Sequence, residues 1–318
     1  MSKNVLEMNN YMAVKGDSED VLGKLVYFSL SRILIKREDI LELCDNMDIS
    51  AAFGKRTSTV DAFKSATGDV YERFVRKTDT GQLIQKVYCR DNQKNGDVYS
   101  RELVMETLNE NTNRYQKLAN ITCDKDTDTF DYFITSASPG IDIADYCIRA
   151  RELFELYREC VRANQLETLI DNLLDQMERL KINVHGRLYF IPKKHMQKLN
   201  LFEDFIEALG TLNINKDSIN CNSIFVVDDE KQRKKMTTEF YAMAKKEIEM
   251  YNTKLENLIS NGVQNQSIVD RWLLKISSFE KKIAYYETLL KQELDDFGEE
   301  YQLLKLMADE LSRKSRVA

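Results

Sequence analysis

VLGKLVYFSLSRIL, residues 21–34, governs how the first part of the chain is read. Val21, Leu22, Leu25, Phe28 and Leu30 fall near helical spacing, followed by Ile33 and Leu34. That period predicts an amphipathic helix. Arg37 opens a second apolar stripe through Ile40, Leu41, Leu43, Cys44 and Met47. After a turn near 50–55, RTSTVDAFKSATG (56–68) supplies a third helix, which Thr57 or Ser58 can cap and Gly68 can end. Helix, helix, turn, helix is the order of a helix-turn-helix. Its last helix, 57–67, would lie in a major groove with the following strands as a wing. Charge argues the other way. Residues 18–68 hold slightly more acidic than basic side chains, whereas DNA binding needs several phosphate-neutralising cations.

From Asp69 the period changes to two. VYERFVRK, LIQKVYCR, VYSRELVMETLN, RYQKLANITC and TFDYFITSA are rich in β-branched and aromatic residues. They read as an antiparallel meander of about five strands. Thr80-Gly81, Asn95-Gly96 and Asp126–Asp128 are the turn candidates. DKDTDTFD (124–131) also resembles the start of an acidic calcium loop. Counted from Asp124, however, Thr129 stands where Gly is needed and Thr135 where Glu is needed, which favours a polar hairpin turn. Ser138-Pro139-Gly140 breaks the pattern and sets the expected boundary between domains 1–140 and 141–318.

The second domain reads as long helices. One is expected over 141–182, from the spacing of Cys147, Leu153, Leu156, Val161, Leu169, Leu173, Met177 and Leu180. A β-α-β insertion follows at about 187–228: strand RLYFIP, a helix centred on LFEDFIEAL, then strand SIFVVD. A helical crossover between two strands favours parallel pairing. Phe240, Ala244, Ile248, Tyr251, Leu255 and Leu258 mark a further helix, and SNGVQNQ (260–266) turns the chain. Val269, Trp272, Ile276, Phe279, Ile283, Tyr286, Leu290, Leu294, Phe297, Tyr301, Leu304, Ala308 and Leu311 then step by three or four. A heptad seam this long predicts an antiparallel coiled-coil hairpin. As one helix, 267–313 would span roughly 70 Å. Part of the seam would then need the 141–182 helix or a second copy of the chain. Asp295, Asp296, Glu299 and Glu300 flank it as carboxylate pairs that could hold a metal only with ligands from facing helices; solvated shoulders are the simpler reading.

Composition removes familiar chemistry. Of 11 glycines in 318 residues, none are spaced as GxGxxG or GxxxxGK[ST] requires, which excludes the common nucleotide-phosphate loops. The only two histidines, His185 and His195, stand ten apart, so HExxH is excluded. A nucleophile–His–acid triad could use only one of them. The expected protein is therefore not an enzyme and has no cofactor, catalytic residues or metal site. The net charge of −6 is spread over both sides of Gly140. Six scattered cysteines without a CxxC pair suit core thiols in a reducing cytoplasm. No signal peptide or membrane-spanning run is read.

One segment stands out. KINVHGRLYFIPKKHMQK (181–198) carries Lys181, Arg187, Lys193, Lys194 and Lys198, both histidines and no carboxylate. KQRKK (231–235) follows the other strand. Were the two strands parallel neighbours, both runs would leave one sheet edge at helix starts, a favourable place for anions. The candidate anion, nucleic-acid or partner site is thus Arg187, Lys193, Lys194, His195, Lys198, Arg233, Lys234 and Lys235. Asp228, Asp229 and Glu230 would offset part of its charge, and two ordinary solvated helix starts are the competing reading.

RTSTVDAFKSAT, GRLYFIPKKH and FVVDDEKQRKKM together resemble an uncharacterised family of phage, plasmid and prokaryotic proteins. Its pattern is an AF(K/R)xAT helix, a GxLYFIP strand and an Asp-containing strand leading into a helical tail. The resemblance implies no activity. It implies a phage or mobile-element setting in a prokaryotic cytoplasm, and structural weight on Phe63, Lys64, Tyr189, Phe190 and Pro192. The expectation is an α+β protein that binds a macromolecular partner, one form being a host-defence complex. The alternative is a nucleic-acid-binding regulatory or accessory protein using residues 18–76, the basic edge, or both. A homo-oligomer through the C-terminal helices is a further expectation.

Overall fold

The computed structural model describes residues 13–14, 21–51, 53–78, 81–92, 96–108, 113–182, 187–216, 219–260, 266–292 and 298–317. The chain begins with β1 (Ala13–Val14), β2 (Val21–Phe28), β3 (Leu34–Lys36), α1 (Arg37–Asn46) and α2 (Thr59–Gly68). Five strands follow: β4 (Tyr71–Thr78), β5 (Gly81–Asp91), β6 (Val98–Leu108), β7 (Arg114–Asp124) and β8 (Thr129–Ile134). Next come α3 (Ile143–Glu159), β9 (Cys160–Arg162), α4 (Ala163–Asp175), β10 (Leu180–Lys181), β11 (Leu188–Pro192), α5 (Met196–Leu212) and β12 (Cys221–Val227). The chain closes with α6 (Glu230–Ser260), α7 (Gln266–Leu290) and α8 (Gly298–Val317). The fold is α+β, and all described strand pairs are antiparallel.

Two compact units result. The meander unit is Arg32–Leu169 with Leu212–Asp217; the helical unit is Met1–Ser31, Ile170–Thr211 and Ser218–Ala318. The boundary expected at Gly140 is therefore not the one the chain uses. The reason is α3, whose Cys147, Ala150 and Phe154 are buried in the same core as the strands before it.

In the meander unit, β4 to β8 lie side by side in chain order, as the period-two segments predict. Their inner face buries Val87, Leu103, Ala119, Ile121 and Cys123. Onto it α2 lays Ala62, Phe63 and Ala66, and α3 lays Cys147, Ala150 and Phe154. Phe130 bridges the two helices, with ring centroids 5.8 Å from Phe63 and 5.3 Å from Phe154. Ser58 Oγ accepts the Asp61 N–H to start α2, and Asp142 Oδ1 accepts the Asp145 N–H to start α3. The acidic 124–131 segment forms the polar hairpin. Asp124 Oδ1 accepts from Asp126 N and Thr127 N, and Asp128 pairs with Arg158 at 2.7 Å.

Three expectations are corrected here. Val21–Phe28 is a strand, not a helix, so the three-helix order of a helix-turn-helix does not form. Six of its eight residues are buried. Such a nearly continuous apolar run is what a central strand covered on both faces requires. Second, 141–182 is not one helix. Cys160–Arg162 leaves helical geometry to pair with β3, Leu34 opposite Arg162 and Lys36 opposite Cys160. Third, β11 and β12 are not neighbours. The sheet order is β1-β12-β2-β11-β10, with β2 between them. They run parallel to each other because both are antiparallel to β2, which makes β11-α5-β12 a split β-α-β unit.

The C-terminal seam is also divided. Lys291 adopts φ of 54°, and Gln292 N–H reaches back to Glu287 O at 3.2 Å. This is a Schellman ending, made by a non-glycine residue in the left-handed region. α7 lies antiparallel to α6: Tyr251 meets Trp272 and Phe279, while Phe240 stacks on Tyr286 with centroids 4.2 Å apart. Val269, Ile276, Phe279, Ile283, Tyr286, Leu290, Leu304 and Leu311 all enter one core with α6. Among the described residues the seam is thus covered within the chain. Seam positions Leu294 and Phe297, metal candidates Asp295 and Asp296, the turn at 261–265, Thr80 and Asn95 lie outside the described residues.

Two substitutions test this packing. A Cβ at Gly23 would overlap the Ile191 carbonyl oxygen, so Gly23→Ala should cost about 1–3 kcal/mol in denaturant unfolding. Tyr286 is fully buried and donates to Glu178 O at 2.9 Å. Tyr286→Phe should cost about 1 kcal/mol and Tyr286→Ala about 3–5 kcal/mol, read from the same unfolding curves.

Candidate functional site

The basic edge predicted from sequence is partly assembled. Pro192 of β11 and Val226 of β12 both pair with Gly23 of β2. The runs that follow them therefore leave the same end of the sheet, two strand spacings or roughly 10 Å apart. Lys193–His195 forms a 3-10 turn ahead of α5. Lys193, Lys198 and Lys234 are exposed and Lys235 is half-buried. Arg187 does not join them. It precedes β11 at the opposite end of the sheet, its guanidinium 5.7 Å from the Phe28 ring centroid. His185 lies outside the described residues.

Much of the edge's charge is already engaged. Lys194 Nζ is 2.7 Å from Glu178 Oε2 and 3.4 Å from the Tyr285 ring centroid. His195 Nε2 is 3.8 Å from the same carboxylate. Burial nonetheless holds the imidazole below its ordinary pKa, against the pull of Glu178. Arg233 pairs with Asp228, which Lys291 also approaches at 3.4 Å. Asp229 Oδ1 accepts the Gln232 N–H and caps α6. These contacts are what two folded helix starts need; they leave a weaker positive field than the sequence alone suggests.

A second surface lies on the outer face of the meander sheet, opposite α2 and α3. Strand register places Tyr71, Tyr88, Val104 and Lys117 in one row across it. A second row is Arg73, Lys86, Glu106 and Tyr115; a third is Arg90, Glu102, Asn120 and Phe133. Tyr71 and Tyr115 are each 53% exposed and Phe133 72%. Tyr71 stands on one edge strand, Phe133 on the other and Tyr115 on β7 beside it, so the three share one face without forming a single contiguous patch. Five strands of this length present a face of roughly 20 by 30 Å, the scale of one side of an ordinary protein interface.

The polar groups on this face hold one another in place. Glu102 accepts from Arg90 at 2.9 Å and from Lys117 at 2.8 Å. Those hydrogen bonds, Lys117's first, hold its carboxyl below the usual range. Glu106 accepts from Tyr115 Oη at 3.0 Å and from Asn113 Nδ2 at 2.6 Å. Arg90 also sits 5.7 Å from the Tyr115 ring. The result is an ordered surface of aromatic and charged side chains on which four cations, Arg73, Lys86, Arg90 and Lys117, stand beside two carboxylates. Period-two alternation could have placed these residues on one face, but which face the helices would cover was not readable.

Among the described residues no group of three His, Cys, Asp or Glu side chains could hold a metal ion. All six cysteines are free. Burial raises Cys89 and Cys221 to about 12, and Cys123, Cys147 and Cys160 to about 11, so these thiols stay protonated near neutral pH. No described helix is long and apolar enough to cross a membrane.

Residues 21–317 match a family described as "Family of unknown function (DUF6744)". The chain belongs to this family. The DUF6744 match opens on Val21, the first residue of β2, and runs through α8, so it takes in both units. It bears out the expectation of an uncharacterised family. No curated protein and no solved structure matches the chain.

Glu102 gives a pH test. A carboxyl held below its unfolded pKa of about 4.3 stabilises the fold fully above that value. The contribution is lost as pH falls through the lower folded pKa. Glu102→Gln should therefore lose less stability than the wild type between pH 5 and pH 3, measured by urea unfolding at each pH.

Proposed function

We propose that this chain is a non-enzymatic binding protein whose outer meander face docks a protein partner. The carrying observation is the set Tyr71, Tyr115 and Phe133, each more than half exposed on one ordered sheet face. Tyrosine and arginine are enriched among residues that dominate protein interfaces. Here Arg73 and Arg90 share the face with the aromatic groups. Glu102 already engages Arg90 and Lys117, so half of the four cations named on this face are paired, which favours a protein over a polyanion. The setting we attach to this reading is a prokaryotic cytoplasm under phage or mobile-element control, with a host-defence complex as one form of partner. It rests on the motif resemblance.

Nucleic acid is the second reading, because aromatic side chains on an open antiparallel sheet can also stack unpaired bases. The exposed Lys193, Lys198 and Lys234 at the other sheet's edge would be its further support.

One experiment separates the two. Wild-type protein and the triple variant Tyr71→Ala, Tyr115→Ala, Phe133→Ala are used to capture partners from prokaryotic lysate, with and without nuclease. The expected result is a protein captured by the wild type, retained after nuclease and lost by the variant. A hot-spot aromatic contributes about 2 kcal/mol or more, so weakening should exceed about thirty-fold on removing even one. The triple variant should keep its far-UV circular dichroism, since exposed positions affect stability little. Equal capture by both proteins, or capture abolished by nuclease, overturns the proposal.

A further inference from the structure

The edge strand of a sheet carries a row of backbone N–H and C=O groups without partners, and folded proteins usually blunt it. The helical unit's sheet does so by length: its outer strands β1 and β10 have two residues each. In the meander, α3 guards β8. Arg151 donates to the Phe130 carbonyl at 3.3 Å and lies 5.2 Å from the Tyr132 ring centroid. Among the described residues the opposite edge, β4, pairs with β5 alone and has neither device. It runs for eight residues without proline or glycine, roughly 26 Å of strand. Its register is unbroken from Tyr71 opposite Tyr88 to Thr78 opposite Gly81, so no bulge turns the edge away.

The side chains beside this edge select a charge. Tyr71, Arg73 and Val75 alternate onto the outer face, and all three are exposed. Arg73 stands directly opposite Lys86, a like-charge pairing that destabilises a sheet. The other two cations of the face, Arg90 and Lys117, meet Glu102. Glu106 lies opposite Lys86 on its far side, but its carboxylate accepts from Tyr115 and Asn113. Among the described residues no ion pair engages Arg73 or Lys86.

We propose that β4 is a strand-addition edge of the docking face and that its occupant is an extended acidic peptide segment of a partner protein. The inference rests on the docking reading and adds which edge is met and by what chemistry. An added strand would lie about 4.8 Å from β4 and satisfy its open backbone groups. The residue opposite Arg73 would have its Cβ about 5 Å from that of Arg73. An aspartate or glutamate there pairs with Arg73 and offsets its repulsion with Lys86. Residues two places to either side meet Tyr71 and Val75, where aromatic and β-branched groups pack well. The segment therefore alternates apolar, acidic, apolar at every second position. A second copy of β4 does not provide this, since none of Tyr71, Arg73 and Val75 brings a carboxylate to Arg73.

Panning a displayed library of random peptides on the purified full chain tests this, with peptides of about ten residues, the length of one long strand. Enriched peptides should carry the apolar, acidic, apolar alternation. A labelled enriched peptide should bind in fluorescence anisotropy, and β4 amides should exchange with deuterium more slowly in its presence. Replacing its central carboxylate by lysine should weaken binding at least about tenfold, and Arg73→Glu should reverse that preference. The double variant Tyr115→Ala, Phe133→Ala, altered on β7 and β8, should bind the peptide unchanged. Circular dichroism shows that each variant is folded. The inference fails if no peptide is enriched, if enriched peptides lack the carboxylate, if protection appears away from β4, or if folded Arg73→Glu keeps the wild-type preference. Partner capture from lysate that still depends on Tyr115 and Phe133 would then leave the docking reading standing without this edge.

Discussion

Gly23 sits where three strands must meet. Pro192 pairs with it from one side and Val226 from the other, and the Ile191 carbonyl occupies the space a side chain would need. Glycine's missing Cβ is what permits that approach. With β2 in place, the ladders of β11 and β12 are both satisfied, and α5 can cross from one to the other. Without it, two apolar strands would present open edges. The helical unit thus takes its central strand from residues 21–28 and the rest of its sheet from residue 180 onward, apart from the short β1. Such long-range pairing carries a loop-closure cost before its contacts form.

The same strand explains why the basic edge is weaker than its sequence. β2 sets the ends of β11 and β12 apart, and each end finds its own counter-charge: Glu178 for Lys194, Asp228 for Arg233. The meander unit shows the reverse. Its Arg32, Arg149 and Arg162 stand far apart in sequence and in unremarkable surroundings. The β3–β9 ladder and the segment 213–215 bring them to one cavity. Clusters of charge along a chain are therefore poor guides to clusters in space here, because helix starts consume local cations while tertiary pairing gathers distant ones.

Legibility followed the range of the forces involved. The meander from β4 to β8, the N-cap of α2, the polar hairpin at 124–129 and the apolar stripe of α6 were readable. Each depends on residues within a few positions, through side-chain alternation, turn chemistry or a local hydrogen bond. Val21–Phe28 was not, because a short apolar run suits a buried strand and a helix equally well. The break at Lys291 was missed because neither glycine nor proline marks it; backbone hydrogen bonding alone makes that ending. The outer aromatic face was half legible. Alternation groups Tyr71, Tyr115 and Phe133, but only the position of α2 and α3 leaves them uncovered.

By itself the sequence determined the class of the fold, the meander, the long helices and the lack of the common phosphate-loop and HExxH motifs. Those follow from local periodicity and from residue types that are present or missing. Tertiary structure decided which strand lies between β11 and β12, where the units divide and which charges meet a counter-charge. These depend on which apolar faces find each other across long stretches of chain, and no local period encodes that choice.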